Sequence, residues 1–277
     1  MKKLWRSRAG KWGSLLLLVL LFLAAVGPLL TPFHYNDQNL DRQFLSPLQS
    51  FEDGPVHLLG TDNLGRDVLS RLLVGARISF AVGFVAVGLA VLVGVPLGTL
   101  AGYFGGRVDS VIMRIMDVLL AFPSILLAIA VVAVFGVSLV NAMLAVGVVS
   151  IPIFCRLSRA SVLTIKEREY VAAARAQGAS HARLMGLYIL PNCLEPLLVQ
   201  ATLSMGTSVL DAAGLSFLGL GARPPTPEWG TMLGDAFLYF QRAPWCVAAP
   251  GVMIFLMVLG FNLFGDGLGE ALDVNRP

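Results

Sequence analysis

Four polar side chains recur at helical spacing inside one apolar stretch of this chain: Gln200, Ser204, Thr207 and Asp211. At about 100° per residue they fall within about 60° of one another on an ideal helix. Such a stripe offers hydrogen bonds, and its terminal carboxylate offers charge pairing to a cationic group. It cannot face hydrocarbon, where an Asp costs about 2.5–3.5 kcal/mol on insertion scales. It faces either a neighbouring helix or a water-filled path. The path is the expectation adopted for Gln200, Ser204, Thr207 and Asp211. Glu195, on the opposite side of the same helix, is expected near the cytoplasmic interface.

Other chemistry is sparse. There is no G-x-x-x-x-G-K-[ST] phosphate loop, no H-E-x-x-H and no G-x-S-x-G. His34, His57 and His181 fall in separate loops, and Cys155, Cys193 and Cys246 are dispersed, so neither a metal site nor a disulfide framework is expected. An intramembrane aspartyl enzyme would need two facing carboxylates, and only Asp211 lies deep. The chain reads as non-catalytic.

The elements that must hold the stripe follow from composition. Charged residues make up 13% of the 277 positions, about half the usual share of a soluble domain. With 56% hydrophobic residues, the chain is an all-α integral membrane protein, which excludes a nucleic-acid-binding domain. A spanning helix needs about 20 mostly apolar residues. Six stretches qualify: 15–32, 79–101, 118–140, 142–163, 194–215 and 246–265. Arg156 and Arg159 interrupt the fourth, which is expected to leave the bilayer near Cys155, with Pro152 as a kink.

Orientation follows from the basic residues. Lys2, Lys3, Arg6, Arg8 and Lys11 precede the first span, Arg107 and Arg114 follow the second, and Arg156, Arg159, Lys166, Arg168, Arg175 and Arg183 follow the fourth. With Arg276, one side holds fourteen of the 20 Lys and Arg, so both termini are expected in the cytoplasm. The run after the basic tail extends to Pro28 without a clean cleavage site, and an uncleaved anchor is expected. The chain then divides into a cytoplasmic tail (1–14), a first transmembrane helix (15–32), an external loop with an amphipathic helix (33–78), a core of spans (79–265) and a cytoplasmic tail (266–277).

Within the external loop, Thr61 can cap a helix on which Leu64, Val68, Leu69, Leu72, Leu73 and Ala76 share one face. That helix lies along the interface or packs on the second span, and packing is favoured. Gly94, Gly98 and Gly102 recur every fourth residue, a spacing that lets two membrane helices touch closely, so they are assigned to helix packing.

Between the fourth and fifth spans, residues 166–177 are mostly helix formers with acids early. Gly178 can end that helix in a left-handed conformation. Ser180 can cap a second short helix through Leu187, and Pro191 then redirects the chain. By spacing alone an ordinary connecting loop is favoured over a docking element.

The segment resembles the E-A-A-x3-G-x9-I-x-L-P loop of binding-protein-dependent ABC importer permeases. The match rests on Ala173, Ala174, Gly178, Leu190 and Pro191. Ala172 stands where the family has Glu and Tyr188 where Ile is usual, with Glu167 and Glu169 nearby. Three further stretches resemble the second permease of the dipeptide, oligopeptide and nickel branch: Leu59-Gly-Thr-Asp-Asn-Leu-Gly-Arg-Asp-Val-Leu-Ser-Arg71, Leu215-Ser-Phe-Leu-Gly-Leu-Gly221 with Pro225-Thr-Pro-Glu-Trp-Gly230, and Phe261-Asn-Leu-Phe-Gly-Asp-Gly-Leu268. The first span and residues 31–56 show no clear counterpart.

The resemblance implies a type I ABC importer permease (MetI-like) fold with six transmembrane helices in the bacterial inner membrane. Loop 166–190, with Glu169, Ala172, Ala173, Ala174, Gly178, Leu190 and Pro191, would be the ATPase-coupling element. The implied partners are a second homologous permease, two cytoplasmic ATPase subunits that bind ATP and Mg, a periplasmic solute-binding protein and the lipid bilayer. The external loop and residues 216–244 would form the binding protein's platform, with Asp37, Asp41, Glu52, Asp53, Asp62 and Asp67 offering contacts. Asp211 would meet a peptide's amino terminus or a cationic metal complex. Short peptides are the expected cargo, with nickel or a metal–metallophore complex as the alternative. The rivals are an ion-driven secondary transporter and a membrane-embedded enzyme or assembly scaffold.

Overall fold

The computed structural model describes residues 5, 7–31, 33–52 and 54–272; Lys2, Lys3, Arg6, Asp53 and Arg276 lie outside them. The ten α-helices among these residues are α1 (Arg8–Leu30), α2 (Val68–Phe104), α3 (Gly106–Leu120), α4 (Ser124–Phe135), α5 (Leu139–Ile165), α6 (Glu169–Ala176), α7 (His181–Arg183), α8 (Leu194–Phe217), α9 (Trp229–Phe237) and α10 (Pro244–Leu272). Among the described residues the extended pairings are two isolated bridges, Gln49–His57 and Thr61–Asp67. Among the described residues, five helical runs are long and apolar enough to cross a membrane, or six if α3 and α4 count as one bent span.

The outermost spans are longer than their apolar runs. Ser7 accepts the amide of Gly10 and starts α1 within the expected tail. A Cβ at Gly13 would overlap the backbone of Phe264, and one at Gly267 would overlap the backbone of Gly10, so α1 and α10 touch backbone to backbone. This backbone contact extends both helices past the hydrophobic segments that composition marks out.

The third expected span, 118–140, is broken rather than straight: α3 and α4 meet at 93°. Pro123 has no N–H to continue α3, and the Ala121 amide closes that helix onto the carbonyls of Asp117 and Val118. Side chains tie α3 to α5. Arg159 donates to both oxygens of Asp109 at 2.5 and 2.6 Å, and Arg156 to Asp117 at 2.6 Å.

The second expected span begins eleven residues early, so the boundary at 78/79 is not an element boundary. Asp67, not Thr61, caps it: its carboxylate accepts the Ser70 amide at 2.7 Å. The Thr61 hydroxyl instead accepts the Leu45 amide and donates to the carbonyl of Arg42, both within the external loop. Val68, Leu72 and Ala76 are buried in the main core, so these turns pack rather than lie on the interface.

Gly94, Gly98 and Gly102 of α2 sit on α5. A Cβ at Gly94 would lie 2.7 Å from the Ile151 carbonyl, one at Gly98 would overlap the Cys155 carbonyl, and one at Gly102 would meet the Arg159 carbonyl at 2.8 Å. Thr99 and Ser158 hydrogen-bond across this seam at 3.0 Å, and Ser158 also donates to the Val95 carbonyl beside Pro96.

Candidate functional site

On α8, three of the four stripe residues hydrogen-bond within the chain. Gln200 donates its side-chain amide to the Ser204 hydroxyl at 3.0 Å, and Ser204 is buried. Thr207 and Asp211, one and two turns further on, are exposed in the single chain. The Thr207 hydroxyl is tied to the Ser204 carbonyl at 3.1 Å. Asp211 therefore projects from a spanning helix with its carboxylate open to whatever covers that face. Near it, a Cβ on Gly214 would lie 3.8 Å from Ile125, which places the start of α4 beside the same turn. Residues 121–126, at the α3–α4 break, are all exposed.

The cytoplasmic element is built as an outrigger. Glu169 is in the first turn of α6, where an acid favours the helix dipole. Val171 and Ala174 are buried, whereas Ala172 and Ala173 face outward. Gly178 adopts φ +81°, and the amides of Gln177, Gly178 and Ala179 return to the carbonyls of Ala173, Arg175 and Ala174. Ser180 accepts the Arg183 amide and starts the next segment.

That segment does not end at Leu187, nor does Pro191 redirect it. His181–Phe217 forms one 37-residue helical run, through a π-helical turn at Leu184–Ile189 and a 3-10 turn at Leu190–Cys193. The wider turn absorbs the donor missing at Pro191. The side-chain amide of Asn192 donates to the Tyr188 carbonyl at 2.7 Å. Leu190 and Pro191 thus belong to the root of α8. An open cleft of about 670 Å³, lined by Ile165, Glu167, Arg168, Glu169, Tyr170 and Asn192, lies beside α6.

On the other side, the acidic residues of the external loop divide. Asp37, Asp41 and Glu52 are exposed. Asp67 is buried against His57 at 2.9 Å, and Asp62 receives Arg66 at 2.7 Å with Arg71 at 3.6 Å, so these two do not offer contacts to a partner. Their work is to fold the loop onto α2.

The Pro225–Gly230 stretch has a role that spacing could not reveal. Buried Glu228 accepts the amides of Gly230 and Thr231 to cap α9, and buried Trp229 donates its indole N–H to the Leu72 carbonyl at 3.0 Å. Gly75 and Gly230 make room for this wedge between α2 and α8. No cluster of three or more metal-ligating side chains occurs among the described residues.

Comparison with known proteins matches residues 94–275 to the family model described as binding-protein-dependent transport system inner membrane component. Residues 1–47 match the N-terminal TM domain of oligopeptide transport permease C, which supplies the counterpart that the first span lacked by motif. A dipeptide transport system permease protein of Alkalihalophilus pseudofirmus is 47% identical over 98% of this chain and 88% of its own length. A di/tripeptide transport system permease protein of Pseudomonas aeruginosa is 49% identical over 99% of this chain and 91% of its own. Among solved structures, an inward-facing MetNI methionine ABC transporter chain aligns with TM-score 0.59 at 22% identity, over 71% of this chain and 93% of that one, a likeness of fold.

Proposed function

This chain belongs to the family of binding-protein-dependent transport system inner membrane components, and from that premise we propose that it forms half of the path by which an ABC importer takes up short peptides. It is a multi-pass inner-membrane permease. Both curated relatives described above are named for di- or tripeptide transport, which favours peptides over nickel or a metal–metallophore complex. The observation that carries the proposal is the exposed Thr207–Asp211 turn on a spanning helix. An open carboxylate at that position needs water or a cationic partner, and the amino terminus of a peptide is such a partner.

The remaining parts follow from this reading. A second, homologous permease supplies the other half of the path, and an external binding protein delivers the peptide. Two cytoplasmic ATPase subunits bind ATP and Mg and receive α6 through Glu169, Ala172 and Ala173. Ala174 packs inward and Gly178 shapes the exit from α6. Both termini lie in the cytoplasm, as the excess of Lys and Arg there supports. This chain hydrolyses nothing; it converts ATPase motion into alternating access.

Vesicles containing this chain, its companion permease and the ATPases, supplied with the binding protein, are expected to accumulate a labelled dipeptide only when ATP is present. Accumulation driven by an ion gradient without any ATPase would establish the secondary-transporter rival. Purification without any nucleotide-binding subunit would count against the importer.

A further inference from the structure

A loop that receives force from an ATPase must hand it to something more than its two covalent ends. In this chain α6 and its flanks grip the cytoplasmic end of α2 twice. Lys166, just before α6, donates its ammonium to the Gly102 carbonyl at 2.9 Å. His181, just after it, is 2.7 Å from the Tyr103 hydroxyl through Nδ1, with its ring edge-on to Tyr103 and tilted against Phe104. The last carbonyls of a helix lack intrahelical donors and carry the negative end of its dipole. A lysine bonded to one of them is held by charge as well as by geometry.

The gripped helix is unusually placed to carry a displacement. From Val68 to Phe104 it runs 37 residues without a break, about 55 Å at the α-helical rise, against about 30 Å of hydrocarbon. Its far end is built into the external loop. Asp67 caps it while paired with buried His57, and Trp229 holds the Leu72 carbonyl. Midway, Gly94, Gly98 and Gly102 bring it onto the backbone of α5.

We propose that α2 is a strut joining the ATPase-facing loop to the external face, and that Tyr103 and His181 are the positioning residues that clamp the loop to it. The inference rests on the importer reading of the loop. It adds a noncovalent route, through Tyr103 and His181, by which movement of α6 reaches the surface where the binding protein docks, and by which docking reaches the ATPases.

The test uses the complete reconstituted transporter carrying Tyr103→Phe, His181→Ala, both together, or His181→Gln as the conservative variant. Peptide taken up per ATP hydrolysed, and stimulation of hydrolysis by loaded binding protein, are measured along with the amount of ATPase retained. Each single variant should lower both ratios about threefold to tenfold, the worth of one hydrogen bond. The double variant should be no worse than His181→Ala alone, because that variant has already lost the shared hydrogen bond, and His181→Gln should recover part of the loss. ATPase retention should stay unchanged. Normal ratios in both singles would overturn the strut, as would uptake that falls only in step with lost ATPase, since that outcome assigns the residues to docking. A wild-type assembly without ATP-dependent uptake would instead overturn the importer reading itself.

Discussion

At the scale of the residue, the α8 stripe separates two kinds of polar group that look alike in sequence. Gln200 and Ser204 bond to each other, and Ser204 is buried. Thr207 and Asp211 are exposed, and of the two only Asp211 carries charge. Helical arithmetic placed all four on one face, but it could not show which pairs would close on themselves, because that depends on rotamers. If Asp211 receives a peptide ammonium, the contact is a charge-assisted hydrogen bond worth about 1.5–3 kcal/mol. Asp211→Asn should then lower uptake of dipeptides with a free amino terminus by about tenfold to a hundredfold. Uptake of N-acylated dipeptides, measured in the same vesicles, should be lowered far less. Equal loss for both substrates, or no loss for either, would remove Asp211 from recognition.

At the scale of the element, glycine was a better guide than proline. Gly178 was legible as the end of α6, because a left-handed residue after a helix is a local requirement, and its φ is +81°. Gly94, Gly98 and Gly102 were legible as a packing seam for the same reason: close approach in lipid needs small residues at that spacing. Pro191 misled. Its missing N–H predicts a break, yet the π-helical turn and the Asn192 amide carry the chain straight into α8. Pro123, with the same chemistry, does break its span. The difference lies in these compensating neighbours, not in the proline. The start of α2 was missed because Asp67 needs His57, ten residues earlier, to be held in place. One consequence can be measured on α6. A left-handed Ala is less favourable than a left-handed Gly by about 1–2 kcal/mol, so Gly178→Ala should speed hydrogen exchange of the α6 amides about fivefold to thirtyfold, leaving α8 unchanged. Equal acceleration in both would mean that Gly178 supports the whole cytoplasmic end rather than α6 alone.

At the scale of the molecule, the single chain leaves a bent helix pair exposed within an apolar stretch. Residues 121–123 join two helices at 93° and are exposed together with the first turn of α4, with Phe122 and Leu126 each 57% accessible. The Arg156–Asp117 pair is also largely exposed. Unpaired backbone groups at membrane depth are tolerated only under other protein or along water. The sequence signalled a third span through its apolar run, but hydropathy averages over the bend and so concealed it. Because Ile125 lies beside the turn after Asp211, this break and the open half of the stripe border one another. They fit a shared wet surface, which the companion permease would close from the opposite side. The native thiols Cys155, Cys193 and Cys246 are all buried, so an introduced cysteine can report on this surface. In the complete assembly Phe122→Cys should react with a charged maleimide and be slowed by transported dipeptide. Leu92→Cys, at an apolar position of α2 that is 76% exposed, should stay unlabelled as a lipid-facing control. A Phe122→Cys thiol that no aqueous reagent reaches would place the break beneath the companion subunit and confine the path to the α8 stripe.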